Sequence, residues 1–176
     1  MRAISKCILR CRQLGVRPTR HVLLVKVATQ TVSCFETTSE FLRLRDNFRC
    51  STSRFGIGQT EGTNGTPLGL HRVAKKIGGG WPVGTVFKGR RPIGYTWQGM
   101  PDAKIATRIL WLEGLEPGFN RGGNVDSYSR YIYIHGTGDE TTLGRPASRG
   151  CVHLATADLI PLFDRISTGT LVWIGI

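Results

Sequence analysis

A polar, glycine-rich stretch near the end of this 176-residue chain holds the residues that could do chemistry. Cys151 stands sixteen positions after His135 and is followed closely by His153. A thiol with an ordinary pKa of ~8.5 is little ionised at neutral pH, so a nucleophilic cysteine needs a neighbouring base. An imidazole with a pKa of ~6.5 can accept that proton and return it. The pattern therefore admits a nucleophile and base pair, Cys151 with His135.

The same residues have two other interpretations. A lone cysteine is commonly a small buried apolar residue, and a histidine at a strand end is commonly a hydrogen-bonded structural group. His135, Cys151 and His153 could also bind zinc, although Cys-x-His is a poor chelate and no fourth ligand suggests itself. The chemistry of the side chains leaves these alternatives open.

Gly150 directly precedes the cysteine and permits a sharp turn there. In such a turn, the backbone N–H groups of Gly150 and Cys151 could point at an oxyanion that develops on a bound carbonyl. Such a donor is often worth ~3 kcal/mol to the transition state. The turn is therefore a candidate oxyanion hole.

The elements that must hold these residues are mostly strands. Residues 130–136 alternate isoleucines with Tyr131, Tyr133 and His135, which puts His135 at the end of a strand. Residues 21–27 and 31–36 are predicted to form a hairpin through a turn at 28–30. Extended or β-branched runs predict further strands at 41–45, 48–54, 70–76, 106–116 and 170–176.

One short helix is predicted after the cysteine, because apolar residues recur at helical spacing between positions 159 and 166. Thr156 suits its N-cap, whereas Pro161 removes a backbone donor inside it. The fold class is therefore mainly β, a sandwich or barrel-like domain with one short helix after the cysteine.

Three glycines at 78–80 precede Trp81 and Pro82. Ordering glycine costs much backbone entropy, so this segment is predicted to be a mobile flap. It is not a phosphate-binding loop, because no Gly-Lys-Ser or Gly-Lys-Thr follows it.

Charge and cysteine usage bound the partners and cofactors. Of the net charge of +12, +6 lies in residues 1–20, a basic tail, and the rest lies in a single predicted domain, 21–176. The charge suits either a solvated surface or attraction to an anionic polymer such as nucleic acid, lipid headgroups or cell wall, but no nucleic-acid-binding motif is present. Five cysteines without a C-x-x-C pair indicate neither a disulfide framework nor a four-ligand zinc site, and no cofactor is predicted.

The N-terminus and hydropathy bear on location. No apolar run is long enough for a membrane-spanning helix, and residues 1–20 lack the apolar core of a secretory signal. Cys7 and Cys11 could share a helix face there and are interpreted as inert thiols.

At the polar stretch the chain resembles the L,D-transpeptidase catalytic domain family, the YkuD-like domains. The resemblance is carried by "HGT" at 135–137 followed by "SRGCVH" at 148–153. It extends over 21–176 through "TPLG" at 66–69, "GTVFKGR" at 84–90 and "DRISTGTLVWI" at 164–174.

The resemblance implies a cysteine acyltransferase of peptidoglycan synthesis in the cell envelope or periplasm. Cys151 would attack the amide between the diamino acid and the terminal D-Ala of a donor stem. The side-chain amine of an acceptor stem would then resolve the thioester into a 3-3 cross-link. His135 would be the base and then the acid, and the flap at 78–81 could cover a peptide groove. The implied supporting set for the oxyanion and imidazole is Gly136, Thr137, Ser148 and Gly150.

The chain departs from the family pattern beside the cysteine. The family usually has His before Gly-Cys and Arg two residues after the cysteine, whereas this chain has Arg149 and His153. Arginine cannot act as a base, so Arg149 and His153 are interpreted as substrate-binding or charge-tuning residues. The exchange leaves an L,D-carboxypeptidase or endopeptidase, and an inactive wall-binding relative, as alternatives to the transpeptidase.

Overall fold

The described part of the chain contains two α-helices, ten strands and two short 3-10 helices, at Gly123–Val125 and Glu140–Thr142. The computed structural model describes residues 2–38 and 42–176. In chain order the elements are α1 (Arg2–Gln13), β1 (His21–Lys26), β2 (Thr31–Thr37), β3 (Leu42–Ser51), β4 (Gly69–Ile77), β5 (Thr85–Lys88), β6 (Arg91–Tyr95), β7 (Ala106–Gly114), β8 (Tyr133–Gly136), β9 (Val152–Leu154), α2 (Thr156–Arg165) and β10 (Leu171–Gly175).

The strands form one sheet that closes on itself. Their order is β4-β10-β1-β2-β3-β9-β8-β7-β5-β6, and β4 also pairs with β7. Eight strands therefore form a closed barrel, and β5 and β6 remain as a hairpin attached to β7. Most neighbours are antiparallel, but β1 with β10 and β8 with β9 are parallel. The predicted fold class, a mainly β and barrel-like domain with a short helix after the cysteine, is confirmed.

The strand predictions hold where alternation is regular. The hairpin is present as β1 and β2, and the predicted strands 70–76 and 106–116 correspond to β4 and β7. The predicted strands 41–45 and 48–54 are one strand, β3, while residue 41 lies outside the described residues. The strand predicted at 130–136 begins only at Tyr133, because Tyr131 has a positive φ of 56° that breaks the extended backbone.

The main core lies between the barrel strands and α2. Leu159, Leu162 and Phe163 of α2 are buried there against strand residues such as Leu110 and Ile134. Burial of this apolar face explains why the helix forms despite Pro161.

A second apolar cluster holds α1. Cys7 and Cys11 are buried on one face of this helix against Val22, Leu70 and Leu171. The predicted basic tail at 1–20 therefore contains a packed helix. No described helix is long and apolar enough to cross a membrane.

The N-terminus of α2 corrects one prediction. Thr156 is the first helical residue and Ala155 is the N-cap, which makes no side-chain capping bond. The Thr156 N–H donates instead to Glu140 Oε1 at 2.7 Å. A carboxylate from a preceding loop therefore takes the place of the cap that Thr156 was predicted to supply.

Candidate functional site

The parallel pair β8 and β9 places the predicted catalytic residues on one face of the sheet. Ile134 is in register with Val152, and His135 with His153. Ile134 and Val152 are fully buried in the main core, so the alternate residues lie on the other face. The rings of His135 and His153 are 4.7 Å apart there, and Cys151 precedes β9 on the same side.

The imidazole of His135 is held in one neutral tautomer. Its Nδ1 lies 2.8 Å from the carbonyl oxygen of Gly136, and because a carbonyl can only accept, Nδ1 carries the proton and Nε2 has the free lone pair. Burial, and secondarily His153, lowers the pKa of His135 to about 3. The imidazole is therefore unprotonated at neutral pH.

Gly136 is required by close packing at this point. A β-carbon there would lie 2.6 Å from the carbonyl oxygen of Ala106 on the neighbouring strand. Only glycine lets the end of β8 approach β7 so closely, which fixes the carbonyl that orients His135.

Cys151 is a half-buried thiol lodged against the start of β8. Its Sγ accepts a hydrogen bond from the Tyr133 N–H at 3.4 Å and donates to the Tyr131 carbonyl oxygen at 3.4 Å. Burial raises the pKa of Cys151 to about 11, while the Tyr133 N–H and the charge of Arg130 oppose that rise. At rest the thiol of Cys151 and the imidazole of His135 are therefore both neutral.

Ser148 closes the turn that presents the thiol. Its Oγ donates to the Cys151 carbonyl oxygen at 2.6 Å and accepts from the Gly150 N–H at 3.3 Å. Gly150 has a φ of 120°, a value that side-chain-bearing residues rarely adopt. Because its N–H is engaged with Ser148, an oxyanion at this donor would have to displace the hydroxyl.

The chain just beyond β3 anchors the loop before the cysteine. The Thr52 carbonyl oxygen accepts from the N–H groups of Ala147 and Ser148 at 2.9 and 3.0 Å. The Arg54 N–H donates in turn to the Ser148 carbonyl oxygen at 3.1 Å. Both the N–H and the carbonyl group of Ser148 are thus bonded to the chain that follows β3, which fixes the start of the turn.

A cavity of about 280 Å³ opens over these residues. Cys151, His135 and His153 all line it, together with Ser148, so the structure brings the predicted catalytic pair into one cavity. Three exposed cations also line it, namely Arg54, Lys104 and Arg149. The lining includes no Asp or Glu, and none of the three cations pairs with a carboxylate in the described ranges.

Arg149 and His153 occupy different environments. Arg149 is exposed and also lines a second cavity, of about 140 Å³, with Arg130 and Glu61. His153 is half-buried, its Nδ1 has no hydrogen-bond partner among the described residues, and burial lowers its pKa to about 4. Of these two side chains, only that of Arg149 therefore carries a positive charge at neutral pH.

Thr137 and the predicted flap lie away from the reacting groups. Thr137 is buried, and its Oγ1 accepts from the Asp139 N–H at 3.3 Å, so it shapes the loop after β8. None of residues 78–81 is among the described residues that line the cavity. A β-carbon at Gly79 would lie 3.4 Å from the Phe163 ring, which places this segment against α2.

Sequence reasoning missed Arg130, whose guanidinium spans the gap to the loop at 58–66. It donates to the carbonyl oxygens of Gln59 at 2.5 Å, Gly58 at 3.0 Å and Gly65 at 3.0 Å. The sequence marks Arg130 only by its position just before the strand that leads to His135. That signal does not distinguish it from the other arginines of the chain.

The described residues contain no group of side chains that could hold zinc. Across residues 2–38 and 42–176, no three His, Cys, Asp or Glu side chains are grouped as metal ligands would be. Cys7, Cys11, Cys34 and Cys50 are all buried and unpaired, which leaves Cys151 as the cysteine open to a ligand.

Comparison with known proteins identifies the family. The model of the L,D-transpeptidase catalytic domain, YkuD, matches residues 20–174. A search of curated proteins found no match.

Solved structures show the same fold. A Bdellovibrio bacteriovorus protein is 18% identical with a TM-score of 0.58, over 89% of this chain and 48% of that one. An L,D-transpeptidase from Mycobacterium tuberculosis is 14% identical with a TM-score of 0.55, over 89% and 58% of the two chains. One from Enterococcus faecium is 12% identical with a TM-score of 0.54, over 90% and 50%. The chain thus spans about half the length of these proteins.

The family match covers most of the chain, and the fold places the "HGT" segment at the end of β8 and the "SRGC" segment directly before β9, the strand paired with β8. The chain therefore belongs to the L,D-transpeptidase catalytic domain family.

Proposed function

We propose that this protein is a peptidoglycan L,D-transpeptidase that forms 3-3 cross-links through a thioester on Cys151. The observation that carries the proposal is the single cavity lined by the Cys151 thiol and by a neutral His135 whose Nε2 is free to accept a proton. A nucleophile, a base and a carbonyl that orients the base are the parts that acyl transfer needs.

In the first half-reaction, Cys151 Sγ attacks the carbonyl carbon between the diamino acid and the terminal D-Ala of a donor stem. The thiol proton passes to His135 Nε2 as the S–C bond forms. The C–N bond then breaks, and His135 returns the proton to the departing D-Ala amine. The products are a thioester on Cys151 and free D-Ala.

In the second half-reaction, the side-chain amine of an acceptor stem attacks the thioester. His135 takes a proton from that amine, the C–S bond breaks, and the proton returns to Cys151. The new amide is the cross-link, and the neutral resting pair is restored.

The resting protonation states determine when the proton moves. With the pKa of Cys151 raised and that of His135 lowered, a thiolate–imidazolium pair is unfavourable before substrate binds. Proton transfer therefore accompanies attack on the carbonyl, and His135 acts as a general base and not as a stored cation.

Backbone groups are proposed to support the reaction. The N–H groups of Gly150 and Cys151 would face the oxyanion, once the Gly150 N–H leaves Ser148. Gly136 supports the tautomer of His135 through its carbonyl. Thr137 and Ser148 would hold the two loops that flank the cavity.

The charges around the cavity favour an anionic donor. Arg54, Lys104 and Arg149 lie on its walls without a carboxylate partner within the described chain. Stem peptides carry carboxylates that such cations bind well. In this proposal Arg149 binds substrate, and His153, which is neutral, tunes His135 from the neighbouring strand. The site of action is then the cell envelope or periplasm, where peptidoglycan lies.

The uncompensated cations also favour a second candidate. A wall-binding relative without turnover would need the same basic cavity rim but not the pair of Cys151 and His135. A carboxypeptidase or endopeptidase would use the same thioester and resolve it with water.

Product analysis separates these functions. Defined tetrapeptide muropeptides would be incubated with the wild-type protein and with Cys151→Ala, and the products would be identified by mass spectrometry. A transpeptidase yields cross-linked dimers, a hydrolase yields shortened monomers only, and a binding protein yields neither. Products that persist with Cys151→Ala would refute a thioester on this residue, provided that circular dichroism shows a native fold.

A carbapenem tests the nucleophile separately. We expect its mass to be added to the peptide that contains Cys151. The four buried cysteines, Cys7, Cys11, Cys34 and Cys50, serve as internal controls and should stay unmodified.

A further inference from the structure

Arg130 connects the loop at 58–66 to the segment that leads into β8. Its Nη2 donates to the carbonyl oxygens of Gly58 and Gly65 at 3.0 Å each, and its Nη1 donates to that of Gln59 at 2.5 Å. Three acceptors from one loop fix the planar guanidinium in a single orientation. The loop is in turn anchored to the barrel, since Ser53 Oγ donates to the Asn64 carbonyl oxygen at 2.6 Å.

The carbonyl group that Arg130 binds lies against the turn of the nucleophile. A β-carbon at Gly150 would stand 3.3 Å from the Gly65 carbonyl oxygen and 3.6 Å from that of Asn64. Movement of the loop would therefore change the space that the Gly150 backbone occupies. Arg130 contacts the turn through Gly65.

The charge of Arg130 is not cancelled at close range. All three hydrogen-bond acceptors are neutral carbonyls, and no described carboxylate lies within ion-pair distance of it. Glu61 lies on the same small cavity and interacts with it electrostatically without such contact. Burial lowers the pKa of Arg130, but the ordinary pKa of a guanidinium is so high that the group stays protonated at neutral pH.

The charge of Arg130 acts on the thiol of Cys151. Arg130 directly precedes Tyr131, whose carbonyl oxygen accepts from Cys151 Sγ. His153 is neutral and offers no cation there. The electrostatic interaction between Arg130 and Cys151 lowers the pKa of the thiol against the effect of burial.

We propose that Arg130 is a positioning residue of this site, which holds the loop at 58–66 against the Gly150 turn and stabilises negative charge on Cys151 as it forms. The inference rests on Cys151 as the nucleophile of the proposed function. The two effects of the Arg130 side chain can be separated, because the forked hydrogen bonds to the loop need arginine whereas the effect of charge needs only a cation.

Two variants divide these effects. Arg130→Gln keeps a hydrogen-bond donor and removes the charge, whereas Arg130→Lys keeps the charge and removes the fork. Arg17→Gln is the matched control, since Arg17 is exposed and the substitution changes the net charge by the same amount.

The measurement is the rate at which iodoacetamide alkylates Cys151 between pH 7 and 10, followed by mass spectrometry. Below the pKa of the thiol this rate follows the thiolate fraction, which falls about tenfold when the pKa rises by one unit. The more basic thiolate is about 2.5-fold more nucleophilic, so the net change is about fourfold. We expect Arg130→Gln to be about fourfold slower than wild type at each pH. Arg130→Lys should lie within about 1.5-fold of wild type, and the control should be unchanged.

Equal rates for the Gln and Lys variants would overturn the proposal, because a purely structural role affects both alike. A wild-type rate for Arg130→Gln would also overturn it. If Arg130→Gln loses the native circular dichroism spectrum, Arg130→Lys decides alone, and a fourfold loss in that variant contradicts the role of charge. Alkylation needs no stem peptide, so these outcomes are independent of whether the protein cross-links peptidoglycan.

Discussion

The protonation state of Cys151 sets how fast it should react with a small reagent. With a pKa of about 11, only about 0.03% of the thiol is ionised at pH 7.5, against about 9% for a free cysteine with a pKa of ~8.5. Thiolate reactivity rises by about 0.4 log unit per pKa unit, so the more basic thiolate of Cys151 is about tenfold more nucleophilic than that of free cysteine. The net expectation is alkylation about 30-fold slower than that of free cysteine.

His135→Gln is the informative perturbation. Because burial keeps the imidazole neutral, it contributes no charge that stabilises the thiolate before substrate binds. We expect this variant to react with iodoacetamide within about twofold of the wild-type rate. The same variant should lose acylation by a carbapenem or a stem peptide, because there a proton must move during attack.

The assay follows the Cys151 peptide by mass spectrometry from pH 6 to 10.5, with free cysteine measured in parallel. The rate should rise about tenfold per pH unit up to about pH 10 and then begin to level off as the pH nears the pKa of Cys151, since the thiolate fraction does so. A plateau between pH 6 and 8 that disappears in His135→Gln would show a preformed thiolate–imidazolium pair. That result would refute the neutral resting state and the order of proton transfer proposed from it.

Three further predictions concern stability and substrate charge. Burial lowers the pKa of His71 to about 4 in the folded protein, so the unfolded chain binds the proton first as pH falls below ~6.5. This residue alone should cost up to about 3 kcal/mol of stability by pH 4, and His71→Gln should remove that share of the acid slope in urea unfolding. The lowered pKa values of His135 and His153 account for slope that remains in the variant. Arg10→Ala leaves the buried Glu116 carboxylate without its cation and should cost about 1–3 kcal/mol by denaturant unfolding, while adding Glu116→Gln should restore part of the loss. Arg149→Gln should raise the KM for stems with free carboxylates about threefold or more, while kcat and the KM for amidated stems should stay unchanged. An equal change in KM for both kinds of stem would refute a contact between Arg149 and a substrate carboxylate.

Local pattern was enough to predict most of the strands. Alternation placed β1, β2, β4 and β7 close to their observed bounds, and it placed His135 at the end of a strand. Alternation is a property of neighbouring residues, because successive side chains of an extended backbone point to opposite faces. The interpretation failed at Tyr131, where a positive φ interrupts an alternating pattern that continues in the sequence.

Helix ends and charge partners were decided by tertiary contacts. The cap of α2 comes from Glu140 and not from Thr156, because the loop after β8 brings that carboxylate to the helix. α1 forms where the basic composition suggested a tail, because Cys7 and Cys11 find an apolar surface on the barrel. Neither partner is close in sequence to the residue it serves.

The sequence by itself determined the candidate nucleophile, its base and their loops, because those residues form two short segments with a recognisable order. Tertiary structure alone decided how they are tuned. Closure of the barrel made β8 and β9 parallel neighbours, which buried His135 and lowered its pKa. It also brought the loop at 58–66 to Arg130, whose acceptors lie 65 to 72 positions away along the chain. Burial and charge act through space, so the reactivity of Cys151 depends on contacts that the spacing of its motif does not contain.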